Sequence, residues 1–226
     1  MIQAVIYDLG GVIFDLNYQL TTAAFTQLGS VDFEQVYSQR AQLDLFDKFE
    51  EGKIDPATFR AGLRKLLKLD SVSDQQLDDA WNAMLLDLPP ENLEAVAAVK
   101  ARGLKTYLFS NSNAIHIKRA FEISREKANI ETFDAYFDSQ YYSFSFGMRK
   151  PHKEGFQKIL VEQQLQPNET LFVDDSPQHL EGARQAGIHA CLIDSETTVH
   201  DVPRVIDELN ARMLVSAERA LSNGRA

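Results

Sequence analysis

From residue 89 onward the chain alternates short apolar runs with segments of helical spacing, and this alternation restricts the fold more than any other feature. Pro89-Pro90 open a helix through Leu93, Val96, Ala97 and Val99, and Gly103 closes it. Leu104 to Phe109 reads as a strand, and the polar Ser110-Asn111-Ser112-Asn113 leads into a helix from Ala114 to Ala128. Ala135-Tyr136-Phe137 reads as another short strand. Lys150-Pro151 open a helix to Leu165, which Pro167-Asn168 break. Leu171-Phe172-Val173 is a strand ending in Asp174-Asp175. A short helix from Pro177 to Ala186 is closed by Gly187, and Ile188 to Ile193 returns as strand. Such a pattern predicts an α/β protein with a doubly wound parallel sheet. The run Ala4-Val5-Ile6-Tyr7 supplies the first strand, apolar throughout as a strand buried on both faces must be, and it stops at Asp8.

Residues 17–88 carry almost no strand signal. Phe25/Leu28, Leu43/Phe46 and Phe59/Leu63/Leu66/Leu67 have helical spacing. Ser73 is placed to cap a helix through Leu77, Trp81 and Met84. The expected organisation is a sheet-bearing core formed by 1–16 and 89–226, interrupted by a helical insert at 17–88. A terminal helix (Val205, Ile206, Leu209, Met213) follows the last strand. It is expected to fray beyond Ala217, where Ser222-Asn223-Gly224 is loop-like.

A net charge of −10 argues against nucleic-acid or anionic-membrane partners, because nothing supplies a basic face. A small anionic substrate is still compatible, since a few local cations or a metal can hold one. Cys191 is the only cysteine, so no intrachain disulfide can form. With no signal-like segment and no apolar run of spanning length, the expected location is cytoplasmic. Monomer and homodimer are both compatible with the sequence.

Four polar groups follow or punctuate the strands: Asp8, Ser110-Asn111, Lys150 and Asp174-Asp175. With parallel, adjacent strands, all but Lys150 fall at one sheet edge, and Lys150 follows a loop able to reach it. Carboxylates from two strands make a hard-oxygen site suited to Mg²⁺. Three like charges in one crevice call for a cation. Metal, ammonium and backbone N–H groups around a carboxylate suit phosphoryl transfer to it.

Asp8-Leu9-Gly10-Gly11-Val12, Ser110-Asn111, Gly147-Met148-Arg149-Lys150-Pro151 and Phe172-Val173-Asp174-Asp175-Ser176 resemble, in order and spacing, the motifs of the haloacid dehalogenase-like superfamily of Mg²⁺-dependent phosphohydrolases. The likeness is greatest to the branch containing bacterial α-D-glucose-1-phosphate phosphatase. It implies a Rossmann-like core with the insert as a cap. Phe46-x-x-Phe49-Glu50-x-Gly52-x-Ile54 also resembles a recurring turn of that cap. It further implies that Asp8 is the nucleophile, forming an aspartyl-phosphate. Asp8, the carbonyl of Gly10, Asp174 and Asp175 would hold Mg²⁺, with Asp175 the direct ligand and Asp174 acting through water. Gly11, Ser110, Asn111 and Lys150 would contact the phosphoryl group of a small phosphorylated metabolite, a sugar phosphate being one such ester.

Gly10 stands where most of these phosphatases carry a second aspartate that protonates the leaving group. This leaves either an active phosphatase whose substrate leaves readily, or whose cap or solvent supplies the proton, or a phosphate-ester-binding regulatory module with little turnover; a haloacid dehalogenase is a further alternative, against which the paired acids argue. Arg149 reads as structural or peripheral, Asp15 as a hinge or turn residue and His116 as a surface or packing side chain.

Overall fold

The computed structural model describes residues 1–30, 33 and 44–223. Its strands, in chain order, are β1 (Ala4–Tyr7), β2 (Asp15–Leu16), β3 (Leu85–Asp87), β4 (Lys105–Ser110), β5 (Ser139–Tyr142), β6 (Thr170–Asp174) and β7 (His189–Leu192). Five of them form a parallel sheet in the order β5-β4-β1-β6-β7. The chain thus builds outward from β1 in one direction, then crosses back to build in the other. Side chains alternate across β1: Val5 and Tyr7 pack into a core with Leu93, Val96 and Ile123, while Ala4 and Ile6 face Phe156, Ile159 and Leu180. Both faces are covered, which is why the strand sequences read as continuous apolar runs.

Among the described residues of the insert, the helices are α1 (Tyr18–Gln27), α2 (Asp44–Glu50), α3 (Pro56–Leu67) and α4 (Asp74–Asn82). Ser73 closes a capping box with Gln76 at the start of α4. The insert has its own aromatic core, in which Phe46, Phe49, Phe59 and Trp81 are buried against one another. Phe59, Leu63 and Leu67 face it, whereas Leu66 is exposed on α3. The expected pairing of Leu43 with Phe46 lies partly outside the described residues. Where the chain leaves and re-enters the core, β2 and β3 pair antiparallel, a small ribbon that the helical patterning did not announce. At two and three residues, these strands are too short to show a period.

The remaining helices are α5 (Pro90–Ala101), α6 (Ala114–Ala128), α7 (Ser143–Phe146), α8 (Lys153–Glu162), α9 (Pro177–Gln185) and α10 (Val202–Asn223). Three expectations need correction. Ala135-Tyr136-Phe137 is a turn, its N–H groups at Tyr136 and Phe137 both donating to the Phe133 carbonyl. The strand comes later, at Ser139–Tyr142, on the sheet edge where polar residues are tolerated. The helix expected to open at Lys150-Pro151 starts at Lys153, because Pro151 lies in a turn closed by His152 N–H to the Arg149 carbonyl. The terminal helix continues to Asn223, past the expected fraying point.

Candidate active site

β1 sits between β4 and β6, so the residues ending these three strands meet at the carboxyl edge of the sheet. Here the order of chain connections reverses, the crevice where open α/β sheets bind ligands. Asp8 follows β1, Ser110 ends β4 and Asp174 ends β6; all three are buried. Lys150 arrives from the loop between α7 and α8 and is wholly buried between two of them. Its Nζ lies 2.8 Å from Asp8 Oδ1 and 2.6 Å from Asp174 Oδ2. Two supports hold this loop. The Asn111 side chain bonds both backbone groups of Lys150, donating to its carbonyl and accepting from its N–H at 2.8 Å each. On the far side, α9 packs so closely that a Cβ on Gly182 would stand 1.9 Å from the Pro151 carbonyl oxygen. Asn111 is thus a scaffold for the lysine through its side chain.

Leu9 N–H also donates to Asp8 Oδ1, at 2.7 Å. Both contacts fall on one oxygen, which leaves Oδ2 for chemistry. Burial pushes the Asp8 carboxyl well above its ordinary range, against the pull of Lys150. Burial likewise opposes ionisation of Asp174, but Lys150 and His179 outweigh it and hold that carboxyl low. Burial also opposes the charge on Lys150, and here Asp174 and Asp8 prevail and raise its pKa.

Asp174 is heavily engaged. Besides Lys150, it accepts from Ser176 N–H at 2.7 Å and contacts His179 Nδ1 at 2.9 Å. His179 is a residue the sequence reading missed. Asp8, Asp174 and His179 each offer one ligand atom, all within 4.8 Å of one another. The signal available in the sequence was its position in the first turn of the helix after the acidic pair. Asp175 is more exposed and lines the cavity, its carboxyl raised by burial and by neighbouring Asp174. A Cβ on Gly11 would lie 2.1 Å from Asp175 Oδ2, at a φ of +75°. The second glycine therefore lets the two acidic loops close on each other.

Gly10 has a different explanation. A Cβ there would fall 2.5 Å from the Leu16 side chain, so the place an acid would take is filled from β2. Backbone bonds around it use the Leu9 carbonyl and the Gly11 N–H, each paired with Phe14, and leave the Gly10 carbonyl out.

A cavity of about 540 Å³ opens above these groups, walled by both core and insert. From the insert come Tyr18 and Glu50; from the core come Arg149 and His116. Arg149 bridges to the insert, with Nη2 2.8 Å from Glu50 Oε2 and Nη1 paired with Asp47. It ties the two bodies together, the structural one of the two roles expected of it. His116 is half-buried, its ring stacked on Trp81 at 4.8 Å and its Nε2 3.0 Å from the Trp81 carbonyl. Expected to pack, it does so across the boundary between core and insert.

A parallel sheet with buried acids and a lysine at its carboxyl edge defines an α/β protein with an active-site crevice at the strand-order reversal. The chain belongs to the haloacid dehalogenase-like hydrolases, whose family model matches residues 2–187. It is 28% identical over 189 residues to a D-ribitol-5-phosphate phosphatase of Bacteroides thetaiotaomicron, covering 83% of this chain and 89% of the relative. The crystal structure of a wild-type haloacid dehalogenase-family enzyme from the same organism, in complex with magnesium and inorganic phosphate, superposes with a TM-score of 0.76. That match is at 32% identity and covers 87% of this chain and 96% of the other. A predicted haloacid dehalogenase-like hydrolase from Porphyromonas gingivalis matches at a TM-score of 0.80 and 27% identity, over 92% of this chain and 98% of its own. No helix among the described residues is long and apolar enough to cross a membrane.

Proposed function

We propose that this chain is a Mg²⁺-dependent phosphatase that hydrolyses small phosphomonoesters through a phosphoryl group carried on Asp8, with 17–88 as its cap over the 1–16 and 89–226 core. The observation that carries the reading is the buried Lys150 ammonium held between Asp8 and Asp174. A strand-end carboxylate so placed can attack phosphorus, while the ammonium offsets charge on the transferring oxygens. The name of the D-ribitol-5-phosphate phosphatase relative and the magnesium and phosphate in the solved neighbour support the same chemistry.

The donor set fits a hard divalent cation. Asp8 and Asp174 converge on Lys150, Asp175 lines the same cavity, and the Gly10 carbonyl, outside the backbone bonds of its turn, supplies a neutral oxygen. Asp174 already accepts from Lys150, Ser176 and His179, so Asp175 is the acid better able to give an oxygen directly, with Asp174 behind it. When bound, Mg²⁺ would neutralise phosphoryl charge and fix its orientation. Ser110 and the Gly10 N–H, left over once Leu9 N–H bonds Asp8 and Gly11 N–H bonds Phe14, hold the remaining phosphoryl oxygens, and Tyr18 and Glu50 from the cap narrow the entrance to water. Because Leu16 fills the side-chain space at Gly10, the leaving oxygen takes its proton from the cap or from solvent.

The test is phosphate release across a panel of polyol and sugar phosphates, nucleotides and acyl phosphates, with Mg²⁺ and with EDTA, using Asp8→Asn as control. Mg²⁺-dependent release abolished by Asp8→Asn is expected. No release from any ester, with tight ester binding by calorimetry, would favour a binding module. Halide release from a 2-haloacid in EDTA would favour dehalogenation.

A further inference from the structure

The cavity holds a charge pattern that the phosphoryl chemistry does not use. Among the described residues lining it, the permanent cations are Lys150 and Arg149. Lys150 is taken up by Asp8 and Asp174. Arg149 is taken up by Asp47 and Glu50, and its side chain is only 13% exposed. Apolar surface in its walls comes from Met84, Leu85 and Ile117, and polar groups come from Tyr18, Glu50 and His152. His116 adds no charge there, because its Nδ1 faces the Asn113 amide and its Nε2 the Trp81 carbonyl. A metal and Lys150 can serve one phosphoryl group. A second anionic group at the other end of a substrate would find apolar surface, a carboxylate and no uncommitted permanent cation.

We infer that the cavity selects phosphomonoesters of neutral, hydroxyl-bearing carbon skeletons and rejects those with a second anionic group, and that Glu50 imposes the choice. A carboxylate accepts hydrogen bonds from substrate hydroxyls, and it repels carboxylates and phosphates at close range. Glu50 also cancels Arg149, which would otherwise offer a fork suited to such anions. This inference rests on the phosphatase reading and deepens it.

The decisive comparison is ribitol 5-phosphate against ribonate 5-phosphate, which differ by a terminal carboxylate in place of a hydroxymethyl group. Like-charge contact costs several kcal/mol at buried interfaces, so kcat/KM is expected to favour ribitol 5-phosphate by roughly 30-fold or more. Glu50→Gln is expected to cut that ratio by about tenfold, and Asp47→Asn to move it the same way by further releasing Arg149. Each ratio is measured within one variant, so partial misfolding cancels. p-Nitrophenyl phosphate serves as the reference ester. If the native protein hydrolyses no ester, p-nitrophenyl phosphate included, the phosphatase reading itself fails. If it turns over p-nitrophenyl phosphate and takes ribonate 5-phosphate as well as ribitol 5-phosphate, the inference is overturned while the phosphatase reading stands. An unchanged ratio in both variants removes Glu50 as the cause.

Discussion

Replacing His116 by glutamine should remove a pH-dependent part of this protein's stability, and the size of the effect follows from how the ring is held. Asn113 Oδ1 accepts from the N–H groups of Ile115 and His116 as the cap of α6, so its amide NH₂ is the group facing His116 Nδ1, 3.1 Å away. Nδ1 therefore accepts, and Nε2 carries the hydrogen donated to the Trp81 carbonyl. Protonating Nδ1 would set two donors against each other beneath the stacked indole. Burial lowers the ring's pKa to about 4, with the Trp81 carbonyl and Asp78 offsetting it only in part. The unfolded chain takes up a proton near 6.5, so this contribution is full at neutral pH and is lost as the pH falls from the unfolded value toward about 4. Between about pH 7 and about pH 5 the loss amounts to about 2 kcal/mol. Urea unfolding at the two pH values measures it. The native protein should lose about 2 kcal/mol more than His116→Gln over that interval. Equal losses in the two proteins would refute the assigned tautomer and the burial argument together.

Other expectations concern the site itself. Lys150→Met leaves the buried Asp174 without its cation and should cost about 3–5 kcal/mol along with activity, read by denaturant unfolding. Because burial pushes the Asp8 carboxyl upward, Asp8→Asn should raise the melting temperature in EDTA and shrink the gain that Mg²⁺ gives the native protein, as thermal-shift titration would reveal. Gly11→Ala drives a methyl group into the Asp175 carboxylate at a left-handed φ, so Mg²⁺ affinity measured by calorimetry should fall by roughly tenfold or more. With no acid at position 10, the rate should depend on leaving-group basicity. Gly10→Asp combined with Leu16→Ala, which opens the space, should flatten that dependence by part of the roughly 10²–10⁴-fold that acid–base help provides.

The strand ends were legible because a strand buried on both faces must be apolar, and a carboxylate or serine closing such a run is conspicuous. Asp8, Ser110 and Asp174 could be named on that basis, and their meeting follows from parallel order alone. Ser139–Tyr142 was not legible, since an edge strand carries neither apolar continuity nor clean alternation. The ribbon of β2 and β3 was too short to show a period.

What the amino-acid order determined by itself is the α/β class, the acidic edge of the sheet and the absence of an acid at Gly10. These rest on local periodicity and on residue identity. Tertiary structure alone decided how the groups are used. Lys150 is locked between two carboxylates by Asn111 and Gly182, His179 joins the acids, and Leu16 fills the place of the missing side chain. Arg149 and Glu50, about a hundred residues apart, pair where the core meets the insert. Contacts between side chains so distant in sequence have no periodic signature, because they exist only once the sheet and the insert have packed.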